Sequence, residues 1–211
     1  MDLTPRVQQA EHSATLQVKE AIARHRADGV DVINMAPGSP DFDTPTHINQ
    51  AAADALEAGH TRTTEAKGIP ALREAIARKL QDDNGIQTSA DRIVATPGSK
   101  FSLFASILAT VDDGDEAVVL DPSWVSYSQM VTLAGGDLTR VPLDPETGFG
   151  LEGANLEAAI NDDTAVLVVN NPNNPTGAVY DRAGLERIRD LAVDHDVTVI
   201  ADEIYEKLVY E

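Results

Sequence analysis

The stretch Ala165-Val-Leu-Val-Val-Asn170 is short, almost continuously apolar and rich in β-branched residues. A second run of the same kind, Val197-Thr-Val-Ile-Ala-Asp202, follows it after one helical stretch. Strands that are buried on both faces of a parallel sheet have this composition, whereas strands with one solvated face alternate apolar and polar residues. The two runs therefore predict an α/β fold, in which a largely parallel sheet is connected by crossover helices.

Similar runs earlier in the chain extend the predicted sheet. Further strands are expected at 31–35, 92–96, 116–120 and 138–142. Helices are expected at 5–26, 45–58 and 70–84, and the two later ones begin at a proline that suits the first helical turn. The segment between residues 36 and 45 is too rich in proline and glycine for regular structure, and it predicts an extended loop.

The composition excludes several classes of function. The chain has 211 residues, a net charge of −19 and no cysteine. Without cysteine it can form no disulfide, thiolate nucleophile or cysteine-ligated metal site, and its five histidines do not have the spacing of helical metal ligands. A field this negative repels phosphate backbones, so nucleic acid is not an expected partner. The spread of acidic residues is typical of the solvated surface of a halophilic protein.

The chain also lacks the signals of membrane insertion and export. No apolar run approaches the roughly 18 residues that a membrane-spanning helix requires. The first residues, Met1-Asp2-Leu3-Thr4-Pro5, lack the basic and apolar segments of a signal peptide. A cytoplasmic protein is therefore expected.

Polar residues follow several predicted strands, at the edge where open α/β sheets bind ligands. Pro97-Gly-Ser-Lys100 opens a helix, and this pattern fits either a phosphate site or a simple helix cap. Trp124 follows the next strand and could be a core residue or a platform for a flat ring. Asn171-Pro-Asn-Asn-Pro-Thr-Gly177 predicts a turn that presents rigid amides.

Asp202 closes the last apolar run and is followed by Glu203-Ile-Tyr205. Burying an anionic carboxylate costs several kcal/mol unless a cation or hydrogen-bond donors meet it. A protonated heterocyclic nitrogen would serve as such a partner.

Five segments together resemble the motifs of class I aminotransferases, which are pyridoxal-phosphate enzymes of the aspartate aminotransferase fold (fold type I). They are Gly38-Ser-Pro-Asp-Phe42, Gly68-Ile-Pro-Ala-Leu-Arg73-Glu-Ala-Ile, Asp121-Pro-Ser-Trp124-Val-Ser-Tyr, Asn171-Pro-Asn-Asn-Pro-Thr-Gly177 and Asp202-Glu-Ile-Tyr205. The resemblance implies a three-layer α/β fold with the mostly parallel sheet of the transferase major domain, an N-terminal helical arm and a C-terminal truncation. It further implies that residues 1–45 form the arm and a small-domain segment, and that residues 46–211 form an incomplete major domain.

The same resemblance implies roles for individual residues. Asp202 would meet the pyridinium nitrogen and keep the ring protonated, so that the ring can accept electrons from the substrate's α-carbon. The phenolic oxygen would be held by Tyr205 and Asn174, the ring face by Trp124, the phosphate by Gly98, Ser99 and Lys100, and the substrate by Gly38, Trp124 and Asn174. No metal is implied.

Two departures from the family pattern stand out. Thr63 occupies a position where many relatives carry a tyrosine that reaches the phosphate of the neighbouring subunit. The family's Schiff-base lysine lies downstream of the Asp202 motif, beyond Glu211. None of the five lysines in the chain matches it: Lys19, Lys67, Lys79, Lys100 and Lys207. The chain is therefore expected to be the N-terminal part of such an enzyme, without a catalytic residue and inactive by itself.

Two hypotheses about function stay open at this point. In the first, the complete protein is a homodimeric aminotransferase of amino-acid metabolism that acts on an amino acid and a 2-oxo acid, with a lyase, decarboxylase or synthase on the same fold as a minority version. In the second, the chain is a non-catalytic module that binds pyridoxal phosphate weakly or only dimerises. A dinucleotide-dependent dehydrogenase is excluded because no G-x-G-x-x-G follows a first strand. The sequence does not indicate which amino acid is the donor.

Overall fold

A computed structural model describes residues 4–9, 14–35, 38 and 42–210. The chain divides into two compact units. The first unit combines Met1–Val32 with Gly98–Glu211, and the second unit is Ile33–Pro97. The domain boundary expected between residues 45 and 46 stays a prediction.

The first unit contains a parallel sheet of four strands. The strands are Glu116–Asp121 (β1), Asp137–Pro142 (β2), Thr164–Asn170 (β3) and Thr198–Asp202 (β4). They lie in the order β2-β1-β3-β4, and every neighbouring pair is parallel. The predicted α/β fold with a largely parallel sheet is thus confirmed. Because the strands are parallel, all four carboxyl ends lie at one edge of the sheet.

The described residues form eight α-helices, of which the third and fourth belong to the second unit and the others to the first. In chain order they are Pro5–Gln9 (α1), Ala14–Ala27 (α2), Thr46–Glu57 (α3), Pro70–Asn84 (α4), Ser99–Thr110 (α5), Ser126–Ala134 (α6), Leu156–Ala159 (α7) and Arg182–Asp194 (α8). Single 3-10 turns occur at Ala90–Arg92 and Pro145–Thr147. No helix of the described residues is long and apolar enough to cross a membrane.

Two apolar clusters cover the two faces of the sheet. Alternate residues of β3 enter different clusters, since successive side chains of a strand point to opposite faces. Val166 and Val168 pack with residues of α5 and α6, whereas Leu167 and Val169 pack with residues of α7 and α8. The first unit therefore has the three layers that the resemblance implied: helices, sheet, helices.

Two predicted strands were wrong. Residues 31–35 have no regular structure, and Ile33 and Met35 are 85% and 90% exposed. Residues 92–96 begin in the 3-10 turn and continue as extended chain outside any ladder. Arg92 N and Ile93 N donate to carbonyls within the turn, and Ala95 N donates to Lys67 O. Apolar, β-branched composition favours a strand only where a partner strand is available, and neither segment has one among the described residues.

The first predicted helix also differs from the structure. The apolar pattern predicted one helix over residues 5–26, but the described residues form α1 and α2 separately. Residues 10–13, between them, lie outside the described part of the chain. The two helices predicted at 45–58 and 70–84 are confirmed as α3 and α4 to within one residue at each end.

Strand β4 forms one edge of the sheet and borders an apolar groove of about 610 Å³ against α8. Val193 is 74% exposed and Val199 is 40% exposed at this groove. The groove lies beside the sheet and shares no lining residue with the cavity described next.

Candidate active site

A cavity of about 150 Å³ lies at the carboxyl edge of the sheet, where β1, β3 and β4 end. Its walls come from the start of α5, the β1–α6 connection, the ends of β3 and β4, and the segments that follow them. The lining residues are Ser99, Trp124, Tyr127, Asn170, Asn174, Asp202, Ile204 and Tyr205. Five of these were predicted from the sequence, and the fold brings them together from positions about a hundred residues apart.

Among the described residues, Asp202 is the only acidic one that lines the cavity, and it is 8% exposed. Its Oδ2 accepts a hydrogen bond from the Tyr127 hydroxyl at 2.7 Å, and its Oδ1 accepts one from the Ile204 N–H at 3.2 Å. No ion pair involves Asp202 in the described part of the chain. The buried carboxylate is thus met by neutral donors only, and each oxygen keeps a lone pair for a further donor.

Asn170, the last residue of β3, links the end of β4 to the loop that follows β3. Its Nδ2 donates to Asp202 O at 2.9 Å, and its Oδ1 accepts from Asn174 N at 2.7 Å. The side chain is 4% exposed, so both bonds are shielded from water. This arrangement fixes Asn174 at the cavity wall, where its Nδ2 donates a longer bond of 3.4 Å to the Tyr205 hydroxyl.

Hydrogen bonds within the asparagine-rich loop hold its shape. Asn173 Oδ1 accepts from the Thr176 hydroxyl at 2.8 Å and from Thr176 N at 3.2 Å. Asn171 Oδ1 accepts from Tyr180 N at 2.9 Å. The predicted turn is therefore confirmed as an internally bonded structure that presents the Asn174 amide to the cavity.

Trp124 is both a core residue and part of the cavity wall, the two alternatives that the sequence left open. Its ring packs against the apolar cluster beneath α5 and α6, and it also lines the cavity. The Tyr127 ring meets it edge-on, with centroids 5.5 Å apart and planes at 84°. The Lys100 Nζ lies 5.0 Å from the indole centroid, within the range of a cation–π contact.

Helix α5 begins at the cavity with Ser99. Gly98, its N-cap, has a φ of 96° and no side chain to cap the first turn. Side chains rarely adopt this conformation, so glycine is required there. The N-terminus of a helix carries partial positive charge and unbonded N–H groups, which favour an anion. Ser99 adds a hydroxyl at the same place.

Some predicted residues are not among those that line the cavity. Lys100 is not among the lining residues, although it contacts Trp124. Gly38 and Thr63 belong to the second unit, and both are exposed. The role of Gly38 toward substrate stays a prediction.

Sequence reasoning missed Tyr127 and Asn170 as site residues. Tyr127 ends the quoted segment that begins at Asp121, but nothing in the sequence shows that its hydroxyl reaches Asp202. Asn170 has the same feature that identified Asp202 as a candidate: it is a polar residue at the end of an apolar strand. Applying that rule to both strands would have found it.

Two buried tyrosines predict a loss of stability at alkaline pH. Burial, and next the hydrogen bond and charge of Asp202, raise the pKa of Tyr127 far above its ordinary value. Burial, offset in part by Asn173, raises the pKa of Tyr180 to about 12. Between pH ~10 and about 12, these tyrosines ionise only in the unfolded chain. The free energy of unfolding should therefore fall by up to about 1.4 kcal/mol per pH unit for each tyrosine.

Urea unfolding at pH 8, 10, 10.5 and 11 measures this dependence. Tyr127→Phe combined with Tyr180→Phe should flatten it, because neither site can then ionise in the unfolded chain. An unchanged slope in the double variant would contradict the assignment to these two residues.

Comparison with known proteins places the chain among aminotransferases. Residues 30–211 match the family "Aminotransferase class I and II". The aspartate/prephenate aminotransferase of Thermus thermophilus is 46% identical over 209 residues, which cover 99% of this chain and 54% of that protein. The aspartate aminotransferase of Geobacillus stearothermophilus is 38% identical over 210 residues, covering 100% of this chain and 53% of that protein.

Solved structures agree with the sequence comparisons. The aspartate aminotransferase of Thermus thermophilus with maleate superimposes with a TM-score of 0.96 at 45% identity, covering 100% of this chain and 55% of that chain. The alanine aminotransferase of Pyrococcus furiosus gives a TM-score of 0.94 at 31% identity and covers 54% of that chain. The chain spans about half the length of the curated relatives it matches. On the family match over residues 30–211, it belongs to the class I and II aminotransferases.

Proposed function

We propose that the protein is a pyridoxal-phosphate-dependent aminotransferase, which moves an amino group from an amino acid to a 2-oxo acid. The observation that carries this proposal is Asp202: a buried carboxylate that faces a cavity and has no cationic partner among the described residues. Enzymes of this family use pyridoxal phosphate. Whether the cavity fits that cofactor depends on the hydrogen-bond donors and acceptors in the cavity wall.

The residues around the cavity fit the cofactor's chemistry. Pyridoxal phosphate has a ring nitrogen that can carry a proton, a phenolic oxygen, a flat aromatic face and a phosphate. Asp202 offers an acceptor for the protonated nitrogen, and Tyr205 and Asn174 offer donors for the phenolic oxygen. Trp124 offers an aromatic wall, and the glycine-capped start of α5 offers an anion site. Each chemical feature of the cofactor thus has a counterpart.

In the proposed reaction the residues of this chain bind and tune the cofactor. Bound pyridoxal phosphate supplies an electron sink for the bond that breaks at the amino acid's α-carbon. Asp202 would keep the ring nitrogen protonated, because a buried carboxylate favours a cation beside it. Tyr205 and Asn174 would hold the phenolic oxygen. Backbone N–H groups of Gly98, Ser99 and Lys100, together with the Ser99 hydroxyl, would hold the phosphate.

No lysine lines the cavity in the part of the chain that the structure describes. This supports the expectation that the Schiff-base lysine is not among the five lysines of these 211 residues. We therefore propose that this chain binds the cofactor without a covalent bond and does not transfer amino groups by itself. Its inactivity stays a prediction.

The names of the relatives indicate the substrate class. Several matched proteins are aspartate or aspartate/prephenate aminotransferases, and the Thermus thermophilus structure holds maleate, a dicarboxylate. We propose that aspartate is an amino donor of the complete protein. A homodimer in the cytoplasm is also proposed, since class I aminotransferases are typically homodimers.

The direct test is an amino-transfer assay on the protein as it occurs in the cell, with pyridoxal phosphate, aspartate and 2-oxoglutarate. Formation of oxaloacetate and glutamate in equal amounts, dependent on the cofactor, is expected. Absence of transfer from aspartate and from other common amino acids would contradict the proposal. For the 211-residue chain, borohydride reduction followed by mass analysis should find no adduct at one specific lysine. Such an adduct would overturn the prediction that the catalytic lysine lies elsewhere.

A further inference from the structure

Tyr127 and Asp202 are 75 positions apart in the sequence, yet they share a buried hydrogen bond at the cavity. The hydroxyl donates to Oδ2 at 2.7 Å, while the Ile204 N–H donates to Oδ1 at 3.2 Å. Tyr127 is 2% exposed and Asp202 is 8% exposed. Both carboxylate oxygens thus have a fixed donor, so the carboxylate cannot rotate without losing a hydrogen bond.

The position of Tyr127 is itself fixed by its surroundings. Its N–H donates to Trp124 O at 3.1 Å at the start of α6, and its ring packs edge-on against the indole. The ring also belongs to the apolar cluster between the sheet and helices α5 and α6. A phenol side chain has only two rotatable bonds, so this packing leaves its hydroxyl little freedom to move away from Asp202.

The environment of Tyr127 also favours the protonated hydroxyl, which is the form that donates. Burial, and next the hydrogen bond and charge of Asp202, raise the pKa of Tyr127 far above its ordinary value. Tyr127 is therefore the donor of this bond at neutral pH, and the Asp202 carboxylate is the acceptor.

We propose that Tyr127 is a positioning residue, which orients the Asp202 carboxylate toward a protonated ring nitrogen in the cavity. The inference rests on the proposed function, because it assumes that the ligand is a pyridoxal-type ring. It adds a specific consequence: Tyr127 acts on the ring part of the ligand through Asp202 and does not act on the phosphate part. Loss of the hydroxyl should then weaken the binding of a ring compound and leave the binding of phosphate alone unchanged.

Isothermal titration calorimetry on the 211-residue chain tests this with two probes. Pyridoxamine 5'-phosphate carries the ring but no aldehyde, so it cannot react with lysines, and inorganic phosphate carries no ring. Tyr127→Phe should bind pyridoxamine 5'-phosphate about 10-fold more weakly, the usual effect of losing a hydrogen bond to a charged group. Its affinity for inorganic phosphate should not change.

Two further variants test whether Tyr127 acts on the ligand through Asp202. Tyr180→Phe removes the same hydroxyl from another buried tyrosine, 4% exposed, in the cluster on the opposite face of the sheet. It should bind both probes as the unaltered chain does. Tyr127→Phe combined with Asp202→Asn should bind the ring compound no more weakly than Asp202→Asn alone, because residues that act through each other are not additive.

The outcomes separate this inference from the proposed function. If Asp202→Asn weakens ring binding but Tyr127→Phe does not, the positioning role is overturned and the proposed function stands. Equal weakening of both probes in Tyr127→Phe would show a general structural effect and would also overturn the role. If the unaltered chain does not bind pyridoxamine 5'-phosphate, the positioning role fails together with the proposal that this chain binds the cofactor, whereas the amino-transfer assay tests the activity of the complete protein separately.

Discussion

Asp202→Asn is expected to weaken the binding of pyridoxamine 5'-phosphate by about 100-fold, the upper range for a hydrogen bond to a charged group. Asparagine has nearly the same shape, but it carries no charge and cannot hold a proton on the ring nitrogen. In the complete enzyme, Asp202→Ala should lower turnover by orders of magnitude, because the protonated ring would be lost as an electron sink. Ligand titration and single-turnover kinetics measure the two effects.

A matched control is Asp194→Asn, the same chemical change at an exposed residue of α8. It should leave both affinity and turnover unaltered. The fold of the Asp202 variants can be checked by far-ultraviolet circular dichroism, which should not change. Normal turnover in a folded Asp202→Ala enzyme would remove Asp202 from its proposed role.

Asn170→Ala should be the most damaging of the proposed changes to stability. It removes the donor to Asp202 O and leaves Asn174 N without its 2.7 Å acceptor. An unsatisfied buried polar group costs about 1–3 kcal/mol, and the lost side chain adds a cavity. We expect the free energy of unfolding to fall by about 2–4 kcal/mol. Urea unfolding at pH 7 measures this change.

The same variant should also weaken ring binding, because the Asn174 amide would no longer be fixed at the cavity wall. The control is Asn155→Ala, at an exposed asparagine whose side chain makes no capping hydrogen bond to α7. Its effect on unfolding should stay within about 0.5 kcal/mol. A similarly small effect in Asn170→Ala would show that the bonds of Asn170 do not hold the two strand ends together.

The sheet could be predicted because its two central strands, β1 and β3, are buried on both faces. The expectation that β4 is buried in the same way was wrong, because β4 is an edge strand and Asp202 is its only buried residue. Short runs rich in apolar and β-branched residues located β1 to β4 to within one residue at each end. The same criterion failed at residues 31–35 and 92–96, where the composition is suitable but no partner strand is present among the described residues. Pairing is a tertiary property, and composition does not carry it.

The candidate site was predictable to the extent that it follows the strand ends. Asp202 and Trp124 were found because polar or aromatic residues at the carboxyl edge of a parallel sheet are brought together. The bond between Tyr127 and Asp202 could not be predicted in this way. It depends on how far α6 lies from the end of β4, which is set by the packing of the apolar cluster between them.

The central claim is that the cavity at the sheet edge binds the ring of a pyridoxal-type cofactor. Trp124 is the chain's only tryptophan and lines that cavity, so its fluorescence reports on the site directly. Titration with pyridoxamine 5'-phosphate should quench this fluorescence to saturation with one ligand per chain, and much higher concentrations should be needed in Asp202→Asn. Quenching that does not saturate, or that is identical in Asp202→Asn, would contradict the account.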